Sequence, residues 1–240
     1  MRTDGFVQMH DVLPPEVARA LNREYAERYL HLSSAELAER CLEVGERRYL
    51  VTVDISGSFN DPRVYANPSV FPIVDAVLGG DAVLDSFGVV CALPHAPAQH
   101  VHVDHPGLPM FDDDESQLPC YAVTVVLPLV DLDDPSVGST AVWLGSHQQP
   151  WDEKRDDSRR YIPRGKLGSA FLWDYRVAHG GTVHESDAPR PILYFVYTRS
   201  WFNDVVNFRK QPKLVISDDE LSKVPEDLRR LFARRVATVG

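Results

Sequence analysis

The chain has 240 residues, 44% of them hydrophobic and 25% charged, with Asp+Glu 35 against Lys+Arg 25 and a formal net charge of −10. That is the composition of a folded globular protein with enough chain to bury a full core, so disordered and fibrous classes are excluded. So acidic a surface repels phosphate backbones and anionic lipids, and no run approaches the roughly 18 consecutive apolar residues of a spanning helix, which argues against a nucleic-acid partner and against a membrane.

The N-terminus, Met1-Arg2-Thr3-Asp4-Gly5, lacks the apolar stretch of a secretory leader. Cys41, Cys91 and Cys120 are odd in number and widely spaced, the pattern of reduced thiols in a cytoplasmic protein rather than of a disulfide framework or zinc site. Pro14 and Pro15 open a predicted helix that runs to about residue 31, with Val17, Leu21, Tyr25 and Tyr29 on one stripe. A second helix is expected from Ser34 to Arg47, a strand over Tyr49 to Val53, a loop over Ser56 to Pro68, and a helix from Val70 to Leu78 ended by Gly79-Gly80.

After residue 82 the texture turns to short β-rich runs: Val83–Cys91, Gln99–Asp104, Tyr121–Val130, Thr140–Leu144, Ala170–Trp173 and Ile192–Ser200. Strands at this spacing predict an antiparallel sandwich or barrel rather than βαβ units. The charged stretches Asp112–Glu115 and Asp152–Arg160 read as solvated loops. Ser217-Asp218-Asp219-Glu220 matches a capping box, and Arg229, Arg230, Arg234 and Arg235 behind it suit a helix C-terminus.

The dense feature is Gln99-His100-Val101-His102-Val103-Asp104-His105. Residues two apart on a strand share a face, so His100, His102 and Asp104 face one way and Val101 and Val103 the other. A carboxylate turned inward needs a cationic partner, and imidazoles with a carboxylate suit a first-row divalent metal. His179, in front of Gly180-Gly181, is the candidate third ligand. Two histidines and one carboxylate leave open positions of the kind that non-haem Fe(II) enzymes use for a co-substrate and O2. Arg190, at the start of the strand Pro191–Tyr197, would meet a carboxylate with its planar fork; Arg176 and Arg199 are its rivals, as His184 is the rival of His179. A polar pair in a core, a loop histidine and a surface arginine are the plain alternatives for these positions.

His102-x-Asp104, then Gly138-Ser139-Thr140-Ala141-Val142-Trp143-Leu144-Gly145-Ser146-His147, then Asp174-x-Arg176-x-x-His179-Gly180-Gly181, then Arg190, resemble the phytanoyl-CoA dioxygenase (PhyH-like) family over roughly residues 82 to 202. Leu144 stands where that family carries a proline before its glycine, a departure confined to a turn. The resemblance implies a mostly β protein with flanking helices and a double-stranded β-helix (jelly-roll, cupin-like) core. It implies Fe(II) on His102, Asp104 and His179, 2-oxoglutarate as co-substrate with its distal carboxylate on Arg190, and O2, with succinate and CO2 released as a small-molecule substrate is hydroxylated or otherwise oxidised. Asp104 favours oxygenation over halogenation, because a halide needs the position that a carboxylate fills.

On this reading residues 1–240 form a single oxygenase domain: a helical N-terminal region (1–81) packing on the barrel, a core (82–202) and a helical tail (203–240). Gln99 and Thr124 are candidate 2-oxoglutarate contacts, and His100 and His105 candidate substrate contacts, with His105, His95 and His147 open to structural roles. Trp173 and Tyr194 read as barrel packing, and Asp174 with Arg176 as a pair fixing the turn before His179. Residues 45 to 70 and the loop Pro106–Pro119 are expected to wall the pocket, with Leu108-Pro109-Met110-Phe111 either a lid or a turn packing on the barrel. Two other readings stay open: a cupin-like metalloenzyme using His100 and His102 without 2-oxoglutarate, and a jelly-roll binding protein without catalysis.

Overall fold

A computed structural model describes residues 1–32, 36, 40–105, 107–108, 118–150, 156–209 and 211–236 of the chain. The predicted lid and the acidic run Asp112–Glu115 lie outside these residues, as do most of Ser34–Glu39 and Asp152–Arg155, apart from Leu108 and Glu36. Among the described residues no helix is long and apolar enough to cross a membrane.

Among the described residues, ten strands make two antiparallel sheets. The large sheet has the order β1 (Phe6–Met9), β8 (Ala170–Asp174), β5 (Ala122–Pro128), β10 (Arg190–Arg199), β4 (Ala82–Ala92), β3 (Arg48–Thr52), β2 (Cys41–Gly45). The small sheet has the order β7 (Arg160–Tyr161), β6 (Thr140–Trp143), β9 (His179–Gly181). From β1 to β4 across the large sheet every neighbour is non-consecutive in the chain, as in a jelly roll, the fold class expected; β4, β3 and β2 follow as a meander.

The central strands are buried on both faces, so they read as continuous apolar runs with polar exceptions only at the inner face. On β5 and β10, Val123, Val125 and Leu127 with Leu193, Phe195 and Tyr197 turn outward. There they meet α1 (Pro15–Tyr25) and α3 (Phe71–Leu78) through Leu21, Tyr25, Val74 and Leu78, all buried. Pro15 in the first turn and Gly79 at φ +81 after the last bound these two helices. Thr124, Val126, Arg190, Ile192 and Tyr194, of opposite parity, turn inward toward the small sheet.

Three expectations are corrected here. The N-terminal region is not only helical: β1, β2 and β3 complete the large sheet. No helix runs to Arg47, because Cys41–Gly45 pairs with Arg48–Thr52 as a hairpin whose edge strand extends the sheet. Gln99–Asp104 is not a regular strand and joins the small sheet only through the bridge His102–His179. The Ser56–Pro68 loop contains a 3-10 turn (Gly57–Asn60) and α2 (Pro62–Tyr65). Half of the capping box is formed: Ser217 accepts from the Glu220 N–H at 3.2 Å in front of α4 (Asp218–Lys223), while the Glu220 carboxylate takes Asn60 and Lys223. The basic residues behind it do more than suit a helix end. Arg234 joins Lys213 on the fully buried carboxylate of Asp85, stapling the tail to β4.

Candidate metal centre

His102, Asp104 and His179 meet at the inner end of a cavity of about 1080 Å³. The His102 and His179 backbones exchange N–H···O=C bonds of 2.9 and 2.8 Å, which sets their rings 4.4 Å apart, centroid to centroid. Asp104 N–H donates to the Tyr175 carbonyl at 3.2 Å, turning its carboxylate so that Oδ1 lies 3.6 Å from Nε2 of His179. Each imidazole has its Nδ1 on a carbonyl, His102 on that of His100 at 3.0 Å and His179 on that of Val177 at 2.9 Å. That fixes the Nδ1–H tautomer and leaves both Nε2 atoms as bare lone pairs. Burial first, and the neighbouring His179 second, hold His102 below the ordinary imidazole pKa, so it stays neutral as a ligand must. Among the described residues, no three His, Cys, Asp or Glu side chains are already closed tightly enough to grip an ion. The donor set, its tautomers and its shared inward face fit a first-row divalent metal.

The turn that presents His179 is built as expected from Asp174 and Arg176. The guanidinium donates to both carboxylate oxygens at 2.9 and 2.8 Å, both side chains are buried, and the Arg176 N–H adds a third bond at 3.0 Å. Burial alone would raise the Asp174 pKa; the hydrogen bonds and charge of Arg176 outweigh it and hold it below the ordinary range. Arg176 is thereby spent, and Arg199 is spent on the Cys120 carbonyl. His184 has carbonyl oxygens against both ring nitrogens, at 2.9 and 2.7 Å, so neither nitrogen is open to a metal.

Arg190 is 4% exposed and donates only to the carbonyls of Val137 and Ser139. Sequence reasoning missed its neighbour. Arg190, Ala92 and Arg48 stand in one row across β10, β4 and β3, and small Ala92 leaves the two guanidinium groups room. Arg48 is 1% exposed, binds the carbonyls of Pro97 and Thr182, and leaves its buried Nε without a partner. Burial pushes the Arg48 pKa down to about 10, and burial with Arg48 nearby pushes Arg190 down to about 9. Among the described residues neither of these buried cations has a carboxylate partner, an arrangement that suits an anion. The signal for Arg48 was its position two residues before the apolar Leu50 and Val51, but only the sheet register puts it beside Arg190.

The other candidates fall differently. Gln99 lines the cavity, but its carbonyl accepts from Gly181 N–H at 2.8 Å and its amide donates to Val44, so it ties β9 to β2. Thr124, expected on 2-oxoglutarate, instead donates to Asp104 Oδ2 at 2.7 Å. Trp173 and Tyr194 do more than pack: their N–H and O–H reach Asp104 Oδ2 and Oδ1 at 3.0 and 3.3 Å. His100 lines the cavity, 5.3 Å from His102 ring to ring. His105 borders it while packing on Phe202 and Tyr175. His95 pairs with Asp187 at the surface. His147, in a 3-10 turn, reaches the Arg2 carbonyl yet also borders the cavity. The outer wall comes from Leu42, Glu43, Val44 and Leu50 on one side and Val206, Asn207 and Phe208 on the other, not from residues 51–70, which turn to the helical side.

A family model described as phytanoyl-CoA dioxygenase (PhyH) matches residues 1–192. The chain belongs to the phytanoyl-CoA dioxygenase family. Enzymes of this family use Fe(II), 2-oxoglutarate and O2, and the chain is accordingly of the Fe/2-oxoglutarate-dependent oxygenase type. The PhyH chain is similar to HygX from Streptomyces hygroscopicus, crystallised with nickel and 2-oxoglutarate, at 17% identity and a TM-score of 0.64, covering 84% of this chain and 85% of that one. It is also similar to SnoN, a non-haem α-ketoglutarate-dependent epimerase from nogalamycin biosynthesis, at 18% identity and a TM-score of 0.62, covering 83% and 79%. What these structures share with this chain is the fold.

Proposed function

We propose that this PhyH protein hydroxylates a small organic molecule, holding Fe(II) on His102, Asp104 and His179 and the distal carboxylate of 2-oxoglutarate on Arg190 with Arg48. The observation that carries the reading is the convergence of His179 Nε2 and Asp104 Oδ1 at 3.6 Å, with the tilted His102 ring 4.4 Å from that of His179 and both histidines held in the tautomer that frees Nε2. When bound, the iron supplies the oxidation chemistry: one atom of O2 enters succinate as CO2 leaves, and the other enters a C–H bond of the substrate. The chain's own part is to bind, orient and exclude water. Arg190 and Arg48, one inward-facing pair along the sheet from Ile192 and Val90, would fix the far end of the keto diacid, and the apolar Val90, Val126 and Ile192 line the cavity that holds the metal site. Asp104 fills the position a halide would need, which supports oxygenation over halogenation.

The cavity far exceeds the volume of 2-oxoglutarate, which supports a second, larger guest. HygX has been crystallised with hygromycin B and SnoN with nogalamycin RO, both small molecules. SnoN is an epimerase, so this fold also serves outcomes without oxygen insertion. The test is anaerobic loading with Fe(II) and 2-oxoglutarate followed by O2. Succinate should form slowly without substrate and faster with a true one, whose product is heavier by one oxygen atom. A folded, iron-loaded protein that forms no succinate sinks the reading in favour of a binding protein. A faster substrate-dependent turnover with a product of unchanged mass replaces hydroxylation by epimerisation.

A further inference from the structure

Two buried aspartates stand near each other at this site, and they are treated differently. Asp174 receives the two-point guanidinium of Arg176. Asp104, its side chain 9% exposed, pairs among the described residues with no Lys or Arg, and the imidazole of His179 lies 3.6 Å from its Oδ1. Its hydrogen bonds are also lopsided. Oδ2 accepts from Thr124 Oγ1 at 2.7 Å and from Trp173 Nε1 at 3.0 Å, whereas Oδ1 has only the long bond from Tyr194 at 3.3 Å. A carboxylate oxygen has two lone pairs, so Oδ2 is filled and Oδ1 keeps capacity on the side of His179.

The two donors are placed together by the sheet. Thr124 on β5 and Trp173 on β8 are directly opposed residues of one antiparallel pair, and both are almost fully buried. Such a pair moves with the sheet rather than with a loop, so the aim of the carboxylate is set by the most rigid part of the fold. The backbone of Asp104 is pinned at both ends as well, its N–H on Tyr175 and its carbonyl receiving the Asn207 amide at 2.6 Å.

We propose that Thr124 and Trp173 are positioning residues that make Asp104 a one-oxygen metal ligand, Oδ1 only. The inference rests on the reading of Asp104 as a ligand. A carboxylate free to turn could take the metal through both oxygens and occupy a position the co-substrate or O2 requires. With Oδ2 held by two donors it cannot.

The experiment is Co(II) titration of the whole metal-free protein, followed by the cobalt visible absorption bands and by equilibrium affinity. The variants are Trp173→Phe, which keeps a ring and removes the N–H, Thr124→Val, which keeps the shape and removes the O–H, and Thr124→Ser, which keeps the O–H. Trp173→Phe and Thr124→Val should each weaken Co(II) binding roughly 10–100-fold. Thr124→Ser should stay near wild type, and the Trp173→Phe/Thr124→Val double variant should show shifted cobalt bands as the carboxylate turns. A residue that merely stabilises the fold would lower the unfolding temperature without moving those bands. Should Thr124→Val fail to fold, Trp173→Phe and Thr124→Ser still decide the matter. Wild-type affinity and bands in folded Trp173→Phe, with binding lost in Asp104→Ala, would overturn the positioning role and leave the metal site standing. Equal Co(II) binding by wild type and Asp104→Ala would overturn the reading of Asp104 itself.

Discussion

Replacing Arg190 with methionine should make the ligand-free protein more stable while abolishing its response to 2-oxoglutarate. Burial first, and the cation of Arg48 second, push the Arg190 pKa down to about 9. At 1.36 kcal/mol per pH unit, a depression of that size means the folded state disfavours the charged guanidinium by roughly 5 kcal/mol. The bonds lost on substitution leave no carbonyl orphaned: Val137 still accepts from His184 Nδ1 at 2.9 Å and Ser139 from Thr182 N–H at 2.8 Å. Methionine keeps the aliphatic stem, and the vacated guanidinium space takes back about half of the gain, leaving roughly 2 kcal/mol net. For a chain of this length that corresponds to an unfolding midpoint higher by about 4–8 °C.

The sign with pH follows from a depressed base. Its penalty is complete while the group is charged and is relieved only as pH rises through about 9, so the difference between variant and wild type should be flat from pH 6 to 8. The assay is thermal unfolding by circular dichroism with Mn(II), with and without 2-oxoglutarate. Wild type should gain stability with the co-substrate and Arg190→Met should not. A variant that melts below wild type yet still gains from 2-oxoglutarate would refute both the cost assigned to the buried cation and its purpose.

Asp104→Ala should lose Fe(II) in equilibrium dialysis while His100→Ala retains it; the reverse would favour the cupin-like pair of histidines. Arg176→Met strands the buried Asp174 carboxylate and should cost about 3–5 kcal/mol, read as a lower unfolding midpoint. Because Arg176 holds Asp174 below the ordinary carboxylate pKa, wild type keeps that stability above about pH 4 and loses it as pH falls further. The acid-unfolding midpoint of Arg176→Met should therefore lie at higher pH. Gly138 has φ +70, and a Cβ there would meet the Val183 carbonyl at 2.2 Å and Arg190 Nη1 at 3.0 Å. Gly138→Ala should cost about 1–3 kcal/mol and, if Arg190 holds 2-oxoglutarate as proposed, raise the KM for it, since the strained turn also presses on that guanidinium.

Parity made part of the site legible in the sequence. His102 and Asp104 could be placed on one face from their spacing alone, and the buried strands β4, β5, β8 and β10 announced themselves as apolar runs. Parity failed where the backbone left regular geometry: Gln99–Asp104 is extended without being a strand, and its aim comes from one bridge to His179. Short strands also escaped. Phe6–Met9 and His179–Gly181 are too brief to carry a period, and Cys41–Gly45 is amphiphilic enough to pass for helix. Gln99 and Thr124 read from the sequence as candidate 2-oxoglutarate contacts, but the acceptors they meet in the fold, the Val44 carbonyl and Asp104 Oδ2, depend on neighbours distant in sequence.

What the sequence determined by itself is chemistry that travels with residue type and near spacing: a histidine–carboxylate pair, a later histidine before two glycines, an arginine opening a strand, and a family pattern joining them. What only tertiary structure decided is which groups share a space. Arg48 stands beside Arg190 because β3 and β10 flank β4 in register, and Asp104 is aimed by Thr124 and Trp173 because β5 and β8 are neighbours. The reason is that local sequence sets the direction of a side chain relative to its own backbone, whereas its partner is chosen by strand order. In a jelly roll, strand order brings together segments far apart along the chain.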